Sequence, residues 1–229
     1  NGSLVKKRIQ DIKDVNILII SFDGPKEIQD RQRMKGAYDG VIEAIKTAKE
    51  NGMEVWTNTV LTKDNLDHID FILDTAKRLK LKTIFQPVLH YPHSSKIENI
   101  KKLSPLTQKY HQVIEKLKEE KKKNNSIIHS IKYFDYISTP SWDINKRKCW
   151  AGKLYCTVTP DGKVAPCYPI FNLKNWPSGI EMGFKKAFKN IPKFSCDGCY
   201  CFTVENDFFY SLDLGVIHNT LKNMLGPLY

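Results

Sequence analysis

Apolar and polar positions in the first half of the chain fall into two alternating kinds of run. Val15 to Ile20 (VNILII) is almost wholly apolar, as expected of a strand covered on both faces of a parallel sheet. It stops at the polar, turn-forming Ser21-Phe22-Asp23-Gly24-Pro25. Val41, Ala44, Ile45 and Ala48 then recur at helical spacing, with Asn51-Gly52 as a stop. Val55 to Leu61 (VWTNTVL) reads as a second strand, rich in β-branched residues. Asp64 is expected to open a helix, with Asp67 three residues on in a capping-box-like arrangement. Its expected apolar stripe is Leu66, Ile69, Leu73, Ala76 and Leu79. Thr83 to Val88 reads as a third strand, and His90 to Pro105 as a loop. A helix from about Leu106 to Lys122 turns Leu106, Tyr110, Val113, Ile114 and Leu117 inward.

Strands alternating with helices imply right-handed crossovers and a parallel sheet, so the fold class expected is α/β. Chemistry in such sheets gathers at the C-terminal strand ends. Those ends carry Ser21 and Asp23, Asn58 and Thr59, and Gln86. Singly, each is a turn or cap residue; three polar strand ends in succession point to a site. Three strands do not close a barrel, so a partial one is expected, with the remaining strands upstream of Asn1.

The last third differs chemically. It holds all six cysteines: Cys149, Cys156, Cys167, Cys196, Cys199 and Cys201. Leu154 to Thr159 and Lys163 to Cys167 flank Pro160-Asp161-Gly162, a hairpin turn sequence. With Gly162 in the left-handed position, Thr159 pairs with Lys163 and Cys156 with Pro166, so Cys156 and Cys167 point to opposite faces. A two-residue Asp161-Gly162 loop sets them opposite one another instead. Pro160 favours the first arrangement, making Cys156 a buried structural thiol. Cys149, Cys167, Cys196 and Cys199 then form two separated pairs, with Cys201 one residue beyond the CxxC and able to replace Cys199. Four thiolates suit a structural zinc or an iron–sulfur cluster, and spacing does not choose between them. Without a secretory signal, a disulfide framework is disfavoured.

These pieces resemble the radical S-adenosylmethionine (SAM) enzymes. The likeness lies in Ser21-Phe22-Asp23-Gly24-Pro25 with Asp30, Arg31, Arg33, Gly36, Ala37 and Tyr38, and in Asn58-Thr59-Val60-Leu61-Thr62-Lys63-Asp64-Asn65. Asn1-Gly2-Ser3-Leu4 is similar to the end of that family's "TNG-x-L" strand. The tail, CxAG, a strand, PDG, VxPC and CxxC, resembles the auxiliary-cluster domain called SPASM, or its shorter relative called twitch. The resemblance implies a partial (βα) parallel barrel of the radical SAM type, followed by a small cysteine-rich hairpin and helix domain. It divides the chain at 1–105 (barrel), 106–145 (linker helix and connection) and 146–229 (auxiliary domain). It also implies that Ser21 and Asp23 face the ribose and amino acid parts of S-adenosylmethionine, that Asn58 and Gln86 line the same cavity, and that Arg33 joins them. The cofactors implied are S-adenosylmethionine and an auxiliary 4Fe–4S cluster on Cys149, Cys167, Cys196 and Cys199, with Cys201 and Cys156 as further thiols. Six cysteines fall short of the seven-cysteine SPASM pattern, so one cluster is expected. The family's chemistry is reductive cleavage of S-adenosylmethionine to a 5′-deoxyadenosyl radical, which abstracts hydrogen from substrate. The auxiliary cluster passes an electron or anchors substrate.

One departure bears on activity. The family's CxxxCxxC and its GGEP loop have no counterpart here, and no cysteine precedes Cys149. The chain is therefore expected to be the C-terminal portion of such an enzyme, inactive on its own.

Composition narrows the alternatives. The 229 residues are 41% hydrophobic and 27% charged, which fits a globular chain rather than a disordered one or a coiled coil. No apolar run reaches the roughly 18 residues of a membrane span, and a cytoplasmic protein is expected. Lys and Arg exceed Asp and Glu by 36 to 25, a formal charge of +11. Acidic residues are interleaved with the basic ones, as in Lys116 to Lys123, and no nucleic-acid module is recognisable, so nucleic acid is disfavoured as a partner. Expected partners are a substrate (peptide, cofactor precursor or other small molecule) and a reductant such as a flavodoxin or ferredoxin. The competing readings are a zinc-stabilised binding module and a non-catalytic scaffold related to radical SAM proteins. His90, His93 and His111 read as surface or core histidines, and Trp142, Trp150 and Trp176 as packing near the thiols.

Overall fold

The computed structural model describes residues 2–88, 102–105, 107–138, 148–170, 172, 175–194 and 199–225. They belong to two compact units, Asn1–Val88 with Leu103–Ser138, and Leu89–Lys102 with Thr139–Tyr229. Among the described residues no helix is long and apolar enough to cross a membrane.

In the first unit, α1 (Val5–Ile12) leads into β1 (Ile17–Ser21), α2 (Lys26–Gln32), α3 (Ala37–Glu50), β2 (Glu54–Leu61), α4 (Ile69–Arg78) and β3 (Lys82–Pro87). The strands form one sheet in the order β1-β2-β3. All pairings are parallel, with Ser21 opposite Asn58 and Val60 opposite Gln86. The α/β class and the parallel sheet are as expected. A further helix, α5 (Gln108–Lys123), buries Tyr110, Val113, Ile114 and Leu117; Leu106 lies outside the described residues. Beyond it Ile127 makes a parallel bridge to Thr83, adding a fourth strand position that the apolar pattern does not announce. The Thr83 N–H donates to the Ser126 carbonyl at 2.6 Å, and the Ile128 N–H to the Thr83 carbonyl at 3.0 Å. α6 (Ile131–Ser138) follows.

The two sheet faces differ. Val55, Thr57, Thr59 and Leu61 are buried, whereas Trp56, Asn58 and Val60 between them are half-buried. Ile20 and Phe22 on the first face are 1% exposed, while Ile19 on the second is 44% exposed. Each large apolar side chain taken fully out of water contributes roughly 1.5–3 kcal/mol, so the first face is the core face. Helix α3 buries the expected stripe of Val41, Ala44, Ile45 and Ala48.

Helix α4 corrects its expectation. The chain first takes a 3₁₀ turn, Leu66–His68, and the α-helix begins only at Ile69. A 3₁₀ turn has three residues per turn, which rotates the buried face by part of a turn. Leu66, Ile69 and Ala76 of the expected stripe are buried; Ile72 and Thr75 join them, Leu73 and Leu79 are half-buried, and Asp64 does not start the helix.

His129, just past the fourth strand position, is 2% exposed and stacks on Tyr133 with ring centroids 3.9 Å apart. Burial, helped by nearby Lys121, pushes its pKa from 6.5 down to about 3. The folded imidazole stays neutral while the unfolded chain takes up a proton below pH 6.5, so this stability is full above 6.5 and is lost as pH falls toward 3. His129→Phe removes that linkage. Its stability relative to the parent rises by about 1.4 kcal/mol per pH unit across the window. Denaturant titrations of both chains at several pH values check this; parallel curves contradict it.

The second unit contains the hairpin β4 (Thr157–Val158) and β5 (Val164–Ala165), then α7 (Gly179–Met182), α8 (Phe184–Lys189), α9 (Val204–Tyr210) and α10 (Leu214–Leu225). Thr157 pairs with Ala165 and Val158 with Val164. Gly162 has φ of +79°, and the Thr159 N–H donates to the Lys163 carbonyl at 2.9 Å. This is the three-residue turn that Pro160 favours. Strand β5 is also covered on its other edge, where the Val164 N–H donates to the Pro177 carbonyl at 2.8 Å.

Candidate functional site

The C-terminal strand ends are fastened to one another by buried polar groups. The Asp23 carboxylate, 1% exposed, accepts the Val60 N–H at 3.0 Å through Oδ1 and Arg33 Nε at 2.7 Å through Oδ2. The Asp23 N–H donates to Gln29 Oε1 at 2.6 Å, and the Thr59 hydroxyl to the Phe22 carbonyl at 2.6 Å. Asn65, fully buried, accepts the Thr62 N–H and donates to the carbonyls of Val60 and Asp23. Asp30 accepts the N–H groups of Gly36 at 2.9 Å and Tyr38 at 2.8 Å, which caps α3 and holds its carboxyl below the usual range, the Tyr38 bond being the largest cause. Gly36 sits at φ +83°, open to the left-handed turn that this cap requires.

Ser21, Asn58 and Gln86 stand on one face of the sheet, the face the helices leave less covered. Ser21 lies directly across from Asn58, and Gln86 beside Val60 two positions further on. The Asn58 side-chain oxygen is buried with no hydrogen-bond partner among the described residues. Asp23 differs from these three: both of its oxygens are engaged within the protein. What it presents is Arg33, whose side chain is 32% exposed. Sequence reasoning missed Gln29 and Asn65 as positioning residues. Asn65 stood in the quoted Asn58–Asn65 segment, but its three partners are set by the fold.

In the cysteine-rich unit, Cys149 and Cys167 pack with one buried cluster that includes Ala151, Ala165, Tyr155 and Trp176. Cys199 is 8% and Cys201 1% exposed. Cys196 and Trp142 lie outside the described residues. Gly152 explains the CxAG spacing: at φ +72°, a Cβ there would meet Phe194 and Pro166 at 3.2 Å. Its N–H donates to the Tyr155 carbonyl at 2.8 Å. Tyr155 donates its hydroxyl to Asp207 Oδ1 at 3.0 Å, and burial, then Asp207, pushes its phenol far above the usual range.

Cys156 corrects its expectation as a buried thiol. It is exposed, because β4 is the uncovered edge of the hairpin while β5 is covered. The register, Thr157 with Ala165, sets Cys156 opposite Pro166 and so on the other face from Cys167, which is buried. Partial burial still raises its pKa, favouring thiol over thiolate.

Among the described residues no three His, Cys, Asp or Glu side chains form a metal-binding group. The donor chemistry nonetheless suits a thiolate-held iron–sulfur group: four buried or half-buried sulfurs, two of them packed in one apolar cluster, rather than an oxygen-rich site.

No family model matches the chain. Over 104 residues it is 29% identical to the Fe-coproporphyrin III synthase of Methanosarcina barkeri (strain Fusaro / DSM 804), covering 43% of this chain and 26% of that protein. The chain thus spans about a quarter of the length of this curated relative. The solved structure of native anSMEcpe with bound AdoMet superposes with a TM-score of 0.55 at 18% identity, covering 96% of this chain and 73% of that one. The same protein with bound AdoMet and the Cp18Cys peptide gives 0.56 at 17% identity, covering 96% and 74%. The fold is theirs, and these relatives are radical SAM enzymes.

Proposed function

From its kinship with radical S-adenosylmethionine enzymes, we propose that this chain forms one wall of an S-adenosylmethionine cavity and carries an auxiliary iron–sulfur cluster. The observation that carries the reading is the convergence of Ser21, Asn58 and Gln86 on one sheet face at the C-terminal strand ends, beside an Arg33 oriented by Asp23. Arg33 is a bidentate-capable cation suited to the carboxylate of the amino acid part. The buried, unpartnered Asn58 oxygen and the Ser21 hydroxyl suit the ribose and amine donors of the same ligand. Asp23 acts one step back, fixing Arg33 rather than touching the cofactor. When bound and reduced by one electron, S-adenosylmethionine supplies a 5′-deoxyadenosyl radical for hydrogen abstraction.

Cys149, Cys167, Cys196 and Cys199 hold the auxiliary cluster, with Cys201 able to replace Cys199. Cys156→Ser leaves iron content unchanged, and an iron assay showing loss contradicts its exclusion. A peptide is the substrate class best supported, since a structural neighbour holds one together with AdoMet. A low-potential flavodoxin or ferredoxin supplies the electron.

The test is chromatographic detection of 5′-deoxyadenosine under a strong reductant. The 229 residues alone, which contain no CxxxCxxC, produce none. A polypeptide joining them to a CxxxCxxC segment of the family produces it, and Asn58→Ala lowers the yield by about tenfold, the loss of one to two hydrogen bonds to the ligand. Turnover by the 229 residues themselves overturns the proposal.

A further inference from the structure

Asp207 lies in α9, six residues after Cys201, and is 1% exposed. Its Oδ1 accepts two donors from the opposite cysteine segment: the Trp150 N–H at 2.8 Å and the Tyr155 hydroxyl at 3.0 Å. Trp150 is the residue after Cys149, and Tyr155 packs in the same apolar cluster as Cys149 and Cys167. A second tie supports the first, Trp150 Nε1 donating to Ser211 Oγ at 3.1 Å just past the end of α9. One buried carboxylate therefore fastens the segment of the first thiol to the helix that follows Cys199 and Cys201.

Both donors belong to the thiol segments themselves, Trp150 following Cys149 and Tyr155 packing with Cys149 and Cys167. N–H and O–H groups that reach cluster sulfurs raise a cluster's reduction potential, and negative charge close by lowers it. We infer that Asp207 is a positioning residue for the auxiliary cluster, joining the two cysteine segments and, by occupying the Trp150 N–H and the Tyr155 hydroxyl, keeping the cluster's potential low. The inference rests on the auxiliary-cluster reading of the proposed function. A low potential fits a cluster that hands an electron onward rather than storing it.

The experiment compares the full chain with Asp207→Asn, Asp207→Ala and Tyr155→Phe, all assembled anaerobically. Iron and sulfide are counted first, and midpoint potentials are then read by redox titration followed by electron paramagnetic resonance. Asp207→Asn keeps an acceptor oxygen for both donors and loses only the charge. It retains iron and sulfide and moves the potential positive. Asp207→Ala releases both donors, moving the potential further positive and lowering iron content. Tyr155→Phe deletes a donor but keeps the carboxylate, and does not move the potential positive. Full iron and sulfide in Asp207→Asn with the parent's potential reduces Asp207 to a fold contact and overturns the inference alone. A parent chain that takes up zinc, or no metal, overturns the auxiliary-cluster reading and this inference with it.

Discussion

Replacing Asp23 with alanine destabilises the first unit by about 1–3 kcal/mol, the cost of leaving polar groups without the acceptor they share. The side chain is 1% exposed and serves two partners at once, Arg33 Nε and the Val60 N–H. Its removal leaves an amide donor of β2 without its acceptor and separates the loop after β1 from the end of β2. Arg33→Met is destabilising by a comparable amount, because it leaves the buried Asp23 carboxylate without its counter-charge while the Val60 bond remains. Urea unfolding followed by far-ultraviolet circular dichroism measures both. An Asp23→Ala penalty below about 1 kcal/mol, the size of an exposed pair, contradicts the account.

Cys149→Ser and Cys167→Ser each empty the cysteine-rich unit of iron. A hydroxyl is a hard, rarely ionised donor and does not replace a thiolate on a cluster iron, so losing one of four ligands opens the cluster to loss or oxidation. The two thiols pack with one buried cluster, Cys167 buried and Cys149 half-buried. Cys156, on the uncovered edge, does not rescue either variant. Iron retained above about half the parent level in either variant removes it from the ligand set.

What the sequence disclosed depended on the distance over which each feature is set. The stripe of α3 comes from local periodicity and the strand β2 from its run of β-branched residues, and both appear as read. So does the hairpin turn, where Pro160 restricts the backbone and Gly162 permits the positive φ. The late start of α4 was not legible, because a 3₁₀ turn, invisible to a fixed 3.6-residue period, precedes it, although Leu66, Ile69 and Ala76 are buried as read. The fourth strand position rests on a single bridge at Ile127, too short to leave a pattern. At the site, the residue types were legible and their roles were not. Asp23 meets Val60 37 residues on, and Asp207 meets Trp150 57 residues back; no local signal encodes either pairing. Cys156 was misplaced for the same reason, since β5 rather than β4 gains its cover from Pro177.

The measurement closest to the central claim is iron and acid-labile sulfide analysis of the 229-residue chain assembled anaerobically, with its visible absorption spectrum. The account predicts a brown protein with about four iron and four sulfide per chain and a broad band in the visible that bleaches on reduction. A colourless chain holding one equivalent of zinc contradicts it, and makes the cysteine-rich unit a structural zinc module instead.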